Sequence, residues 1–351
     1  MISVMELNKL TIRAAAVLIA AALSVMPAVA QAPTVSAKHA IVTDADTGAV
    51  LYEKDADSPA LIASTTKIMT GCLICEQCDL QEKLTVPAEA VGIEGSSMYL
   101  KAGETLTVND LLHGLLLQSG NDAATALAIH CSGSIDAFVS QMNAKASELG
   151  LSATHFANPS GLDDEDNYGT ARDLAALTAY ALRDPDFARI VSEKNYQVGE
   201  RCLANHNKLL WRYDGAIGVK TGYTKAAGRI LVSAARRGGR TLICVTIGAP
   251  DDWNDHMRLL DYGFSQYTPT QIISAGKPLQ SAAITPEALR NAPLTAQESV
   301  IFPLLAGERV SCVFHKNDLI PLPLRQGTEA GALALYLGQT CIGTVRVNWS
   351  G

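Results

Sequence analysis

The sequence predicts an α+β fold: a large domain with an antiparallel sheet flanked by helices, followed by a small all-β domain. Three observations carry that expectation. Strand-like alternation occurs at both ends of the first 267 residues, while the middle is helical, which is not the βαβα alternation of a parallel sheet. After Pro269 the texture changes to short apolar runs separated by Gly, Pro and polar turns. The chain of 351 residues, 48% hydrophobic and 18% charged, has the composition of a globular protein long enough for one large unit and one smaller.

The elements follow in order. Lys9 and Arg13 precede the apolar run "AAAVLIAAALSVM" and the small-x-small triplet "AVA" at 28–30, so residues 1–30 are expected to be a secretory signal peptide. "AIVTDA" and "AVLYEK" alternate around "DTG" and predict a β-hairpin within 38–59. A polar break then leads to a helix starting near Ser64. Asn109 is expected to cap the next helix, "DLLHGLLLQ", and "GNDAATALAIH" to begin another after a break at Ser119–Gly120. A stripe through Phe138, Met142, Ala146 and Leu149 predicts a helix over 135–150. "FANPSGLDDEDNYG" is a loop, after which Thr170 and Asp173 have the spacing of a capping box. "RILVSAA" and "TLICVTIG", joined by "RRGG", predict a second hairpin. "WNDHMRLLDYGF" returns to a helix with its stripe through Trp253, Met257, Leu260 and Phe264. The larger domain is placed at 35–267 and the all-β domain at 270–351, with strands at "TQIISAG", "SVIFPLL", "RVSCVFHK", "ALALYLG" and "CIGTVRVNW".

Charge and composition narrow the function. The net charge is −7, with no basic tail or arginine cluster, so nucleic acid is a poor partner. Seven scattered histidines give no metal-ligand spacing, and no metal or cofactor is expected. "DDED" (163–166) lacks the spaced pattern of a calcium loop. Cys72, Cys75 and Cys78 repeat every three residues but lack the fourth cysteine and proline of an iron–sulfur run. Structural or disulfide roles suit them better, and Cys312 with Cys341 is one candidate pair.

Three short groups carry the chemistry: "STTK" (64–67), "SGN" (119–121) and "KTG" (220–222). A helix beginning near Ser64 places Ser64 and Lys67 on one side. Its free amino-end N–H groups favour the negative charge that forms when a serine attacks a carbonyl. Lys67, with its pKa lowered by burial and a neighbouring lysine, can take the serine proton. Ser119 can relay a proton, and Asn121 can bind a substrate amide while holding Lys67. At the entry to an edge strand, Lys220 and Thr221 can meet a carboxylate, and Gly222 lets a substrate backbone come close. A second S-x-x-K, "SAGK" at 274–277, lies in the β-rich tail and is given no role. Alone, Ser64 would be read as a helix cap and Lys67 as a surface charge. Together and in order, the three groups point to a serine acyl-transfer enzyme.

With its flanking segments, such as "YLKAGETLTVNDLLHGLLLQSGNDAATALA" and "NHNKLLWRYDGAIGVKTGYTKAAG", the set resembles the low-molecular-weight penicillin-binding proteins of the serine D-alanyl-D-alanine carboxypeptidase family. The resemblance implies a penicillin-binding/β-lactamase-like catalytic domain with a five-stranded antiparallel sheet. It implies Ser64 as acylated nucleophile, Lys67 as base, Ser119 and Asn121 as the second motif, and Lys220, Thr221 and Gly222 as the third. The oxyanion hole would be the backbone N–H groups of Ser64 and Tyr223. The implied partners are peptidoglycan stem peptides ending in D-Ala-D-Ala, with β-lactam antibiotics as covalent inhibitors, in an exported, envelope-associated protein. Many relatives end in an amphipathic membrane-lying helix; "CIGTVRVNWSG" is not one, so membrane association is left open. A class A β-lactamase is the rival enzyme. Its Glu-x-x-x-Asn is absent between Asn121 and Lys220, where Glu148, Glu165, Glu193 and Glu200 meet no asparagine four residues on. A wall-binding scaffold without turnover is the non-enzyme alternative.

Overall fold

The computed structural model describes residues 31–279, 284–285, 293–317 and 325–350; the expected signal peptide lies outside them. The first hairpin, β1 (His39–Asp44) and β2 (Val50–Lys54), is followed by a 3₁₀ turn at Ala63–Thr66 and helix α1 (Lys67–Gln77). Four helices make the middle: α2 (Val108–Leu116), α3 (Asn121–Ser132), α4 (Ile135–Glu148) and α5 (Ala171–Ala181), with α6 (Pro185–Ser192) beyond them. Strands β3 (Ala216–Thr224), β4 (Gly228–Arg237) and β5 (Arg240–Ile247) return to the hairpin, and α7 (Asp252–Gln266) follows. The sheet is antiparallel in the order β2-β1-β5-β4-β3, so β3 is an edge strand.

The continuous apolar runs of β4 and β5 have a direct cause, because both faces of the sheet are covered. Ile230, Val232 and Ala234 of β4, with Ile243 and Val245 of β5, face the core shared with α1 to α6. Leu231, Ala235, Leu242 and Cys244 face the other way, onto Leu259 and Leu260 of α7. The site therefore lies along one edge of a sheet held rigid between two apolar layers.

Local chemistry moves several expected boundaries. Helix α2 starts earlier than expected: Thr107 is its cap, in a reciprocal box with Asp110, and Asn109 lies inside the helix. Thr170 caps α5 by accepting from Asp173 N, but the Asp173 carboxylate instead accepts from Ala153 N and Thr154 Oγ1, tying in the preceding turn. The inner face of α7 is rotated from the expected stripe. Leu260 is buried, but Trp253, Met257 and Phe264 are only half-buried, and Asp255 and His256 are fully enclosed. Asp255 accepts from the Ser36 amide and hydroxyl, and His256 lies between the hydroxyls of Ser233 and Thr246. Burial presses the His256 pKa down to about 3, so the ring is neutral.

After α7 the chain is β-rich. β6 (Tyr267–Ile273) pairs with β8 (Val300–Leu305). β9 (Val310–Lys316), β10 (Glu329–Leu337) and β11 (Thr340–Trp349) form a sheet whose edges are Ile284–Thr285 and β7 (Leu294–Ala296), two short pieces too small for a sequence signal. The pairing suggested for Cys312 and Cys341 does not occur. They lie on β9 and β11 with β10 between them, two strand spacings of about 4.8 Å each, beyond disulfide reach, and both are free thiols.

Candidate active site

Ser64 sits in the 3₁₀ turn that leads into α1, and Lys67 is the first residue of that helix. Lys67 is fully buried, and its Nζ has three partners. Ser64 Oγ is at 3.1 Å, Asn121 Oδ1 at 2.7 Å and the Ser160 carbonyl oxygen at 2.5 Å. Two of these can only accept. A neutral amine here would use its two N–H bonds on Asn121 and Ser160, leaving its lone pair for the Ser64 hydroxyl. Burial drives the Lys67 pKa well below its ordinary value, the nearby Lys220 charge adds to that, and Asp122 opposes it. In that neutral form the lone pair would face the Ser64 hydroxyl.

The break between α2 and α3 holds the second group. Ser119 has a left-handed backbone (φ 62°) and lines the cleft with Ser64. Asn121 opens α3 with its amide fixed at both ends, Oδ1 on Lys67 and one Nδ2–H on the Glu94 carbonyl at 2.6 Å. Asp122 is buried beside it and accepts from Ser97 Oγ and the amides of Met98 and Leu100, which fastens the rim segment to α3.

The third group lies inside β3 rather than at its entry. Thr221, Gly222 and Tyr223 line the cleft, and Tyr223 is exposed. A Cβ on Gly222 would come within 3.3 Å of Ile62 O and of Thr65, so the strand packs closely against the Ser64 turn. Lys220 is buried, with Nζ donating to Thr221 O at 2.9 Å, and burial lowers its pKa to about 7. The cations that reach the cleft are Lys208 and Arg229. Arg229 stands opposite Tyr223 in the β3–β4 ladder and is paired with Asp252 at 2.9 and 3.1 Å. The cleft encloses about 470 Å³, and no glutamate is among its lining residues.

Sequence reasoning missed the loop that supplies the Ser160 carbonyl. Asn158 Oδ1 accepts from Ser160 N and Oγ, Gly161 N and Leu162 N, and its Nδ2 donates to Leu162 O. The adjacent Pro159 carbonyl accepts from Thr70 Oγ1 of α1. "NPSG" does carry turn chemistry, but nothing in it marks a carbonyl as a lysine acceptor. The acidic run 163–166 beyond it is exposed, as is Lys277 of the second S-x-x-K. Among the described residues no three metal-binding side chains gather.

A serine bonded to a buried lysine, beside a second serine and an edge strand, defines a serine acyl-transfer enzyme of the penicillin-recognising kind. The chain belongs to the D-alanyl-D-alanine carboxypeptidase family S11, whose model matches residues 26–251. It is 34% identical over 315 residues to D-alanyl-D-alanine carboxypeptidase DacF of Bacillus subtilis, covering 85% of this chain and 81% of that one. It is 40% identical over 237 residues to DacB2 of Mycobacterium tuberculosis, covering 64% and 81%. Among solved structures, penicillin binding protein 5 from Haemophilus influenzae matches with a TM-score of 0.77 and 28% identity, over 92% of this chain and 98% of that one.

Proposed function

We propose that this protein removes the terminal D-alanine from peptidoglycan stem peptides through an acyl-enzyme on Ser64, and that penicillins acylate the same serine. The observation that carries the assignment is the three-way environment of Lys67 Nζ, in which a neutral amine would turn its lone pair to Ser64. Ser64 Oγ attacks the carbonyl of the penultimate residue as its proton passes to Lys67. The oxyanion is held by the backbone N–H groups of Ser64 and Tyr223. The proton returns through Ser119 to the departing amine, D-alanine leaves, and water hydrolyses the ester. Thr221 binds the terminal carboxylate. The buried Lys220 tunes Lys67 and adds its charge to that subsite, while Arg229 is a second cation lining the cleft. The demand for a free carboxylate makes the enzyme an exopeptidase.

The absence of glutamate from the described cleft lining supports a carboxypeptidase over a β-lactamase, since the one carboxylate there, Asp252, is engaged by Arg229. The protein works outside the cytoplasm at the cell envelope, with residues 1–30 as its export signal.

One experiment decides among the readings. A fluorescent penicillin is expected to label the protein stoichiometrically and persistently, Ser64→Ala to abolish the label, and a D-Ala-D-Ala peptide to release D-alanine. Amidating the terminal carboxylate should suppress that release. Rapid penicillin hydrolysis without D-alanine release would assign a β-lactamase, and labelling without turnover a scaffold. Label retained on Ser64→Ala would remove the nucleophile assignment.

A further inference from the structure

Asn121, which accepts from Lys67 Nζ, is bonded on its other side to a short segment of the cleft rim, residues 94–100. The Glu94 carbonyl accepts from Asn121 Nδ2 at 2.6 Å, and the Ser96 carbonyl accepts from Asn121 N at 2.7 Å. Gly95 has φ +86°, and a Cβ there would fall 2.8 Å from Asn121 Nδ2, so the rim lies directly against that amide. The next residue of α3 is gripped too, since Asp122 accepts from Ser97 Oγ, Met98 N and Leu100 N. The rim has one strained point. Tyr99 has φ +59°, a region that a bulky side chain rarely adopts, and at 81% exposure its ring gains no packing to offset the strain.

The backbone of Tyr99 is pinned on both sides instead. Its N–H donates to Ser97 Oγ at 2.8 Å, and its carbonyl accepts from Nη2 of Arg201 at 2.9 Å. Arg201 is itself fixed. Its Nη1 and Nη2 donate to the two carboxylate oxygens of Glu104 at 2.6 and 2.8 Å, and Glu104 Oε2 also accepts from Lys101 N at 3.1 Å. Arg201 comes from a hairpin of two short strands, Asn195–Val198 and Arg201–Ala204. The other strand of that hairpin is fastened to α2. Tyr196 stacks on His113 with ring centroids 3.6 Å apart, and its hydroxyl donates to Asp110 Oδ1 at 2.8 Å and accepts from Asn109 Nδ2 at 3.1 Å. The hairpin thus braces the rim from α2.

We propose that Arg201 is a positioning residue for Asn121: it holds the left-handed turn at Tyr99, and through that turn the rim groups that set the start of α3 against Lys67. Arg201 is not among the described residues lining the cleft, so it acts only through what it holds. A planar guanidinium suits the task, because one rigid group reaches both the Glu104 carboxylate and the Tyr99 carbonyl. Without it, Tyr99 is free to leave its strained conformation and draws the rim away from Asn121. A shift of about an ångström there misplaces the amide that orients Lys67.

The test compares the full chain with Arg201→Met, first by hydrogen exchange and mass spectrometry without ligand. Peptides covering 96–100 and 121–124 are expected to exchange about tenfold faster in the variant, with β4 and β5 unchanged. The rate of Ser64 acylation by a fluorescent penicillin, which rests on the function proposed above, is expected to fall about tenfold. Asparagine tolerates the left-handed region better than tyrosine. Adding Tyr99→Asn to Arg201→Met is therefore expected to restore the rate to within about threefold of the wild type. Unchanged exchange at the rim would overturn the proposal, and so would exchange raised throughout the fold. Faster rim exchange with an unchanged acylation rate, or a loss that Tyr99→Asn does not recover, would overturn it too. A wild type that takes no label would remove the nucleophile assignment instead, and the exchange result alone would then decide the role of Arg201.

Discussion

Lys67 and Lys220 are two lysines kept out of water in one site, and each costs the fold something that its chemistry uses. Both bind a proton less readily folded than unfolded, so stability rises with pH until their ordinary pKa near 10.4 is reached. For Lys220 the window opens at about 7, and above it the slope approaches about 1.4 kcal/mol per pH unit. Lys220→Met keeps the apolar stem and removes the charge. Between pH 7 and 9 in urea unfolding, the variant is expected to gain about 2 kcal/mol less than the wild type. Because the Lys220 charge also presses the Lys67 pKa down, the rising limb of the acylation rate is expected to move to higher pH in the variant. An unmoved limb would mean that Lys67 is tuned by burial alone.

At the scale of elements, the loop from Asn158 to Leu162 works as a splint for α1. Gly161 has φ +80°, and a Cβ there would fall 1.9 Å from Ala63 O and 2.9 Å from Ser64 N, so the loop presses on the backbone that carries the nucleophile. Gly161→Ala must push the two segments apart. Its acylation rate is expected to fall at least 100-fold, a consequence of misplacing a reacting group by about an ångström. Asn158→Ala leaves the close approach intact but frees the loop's amides and the Ser160 hydroxyl. It is expected to lower the acylation rate more than it lowers binding of a non-covalent ligand, as stopped-flow labelling can separate. These contacts also mark where the sequence became unreadable. Ser64–Lys67, Ser119–Asn121 and Lys220–Gly222 were legible because side-chain chemistry and helix or strand spacing are local. The acceptor at Ser160 is a backbone carbonyl 93 residues from Lys67, with no side chain to announce it. The inner face of α7 was misjudged for a related reason. Asp255 and His256 look like surface residues until Ser36, Ser233 and Thr246, distant in the chain, satisfy them.

At the scale of the molecule, two requirements are carried by different parts of the chain. All the described residues lining the cleft lie between Ser64 and Trp253, on the sheet edge and on the loops and helices beside it. The β-rich region contributes none of them. It does contribute to the second core: Phe302 and Leu304 of β8 are buried in the cluster that holds Leu259 and Leu260, and Val310, Leu337 and Ile342 pack against it. Removing residues 270–351 therefore leaves the chemistry complete while uncovering an apolar patch beside β1, β2 and α7. Each uncovered side chain forfeits about 1.5–3 kcal/mol of burial, and an exposed patch of that kind promotes association. A chain ending at 269 is expected to retain Ser64 acylation by penicillin within about threefold at 20 °C, yet to melt about 10 °C lower and to self-associate on warming. Loss of acylation at 20 °C, with circular dichroism still native-like, would mean that the β-rich region holds the cleft in shape. In that case the sheet and α7 would not be the rigid support inferred from their two apolar layers. Retained acylation with an unchanged melting temperature would instead show that contacts through Phe302 and Leu304 add nothing to the catalytic fold.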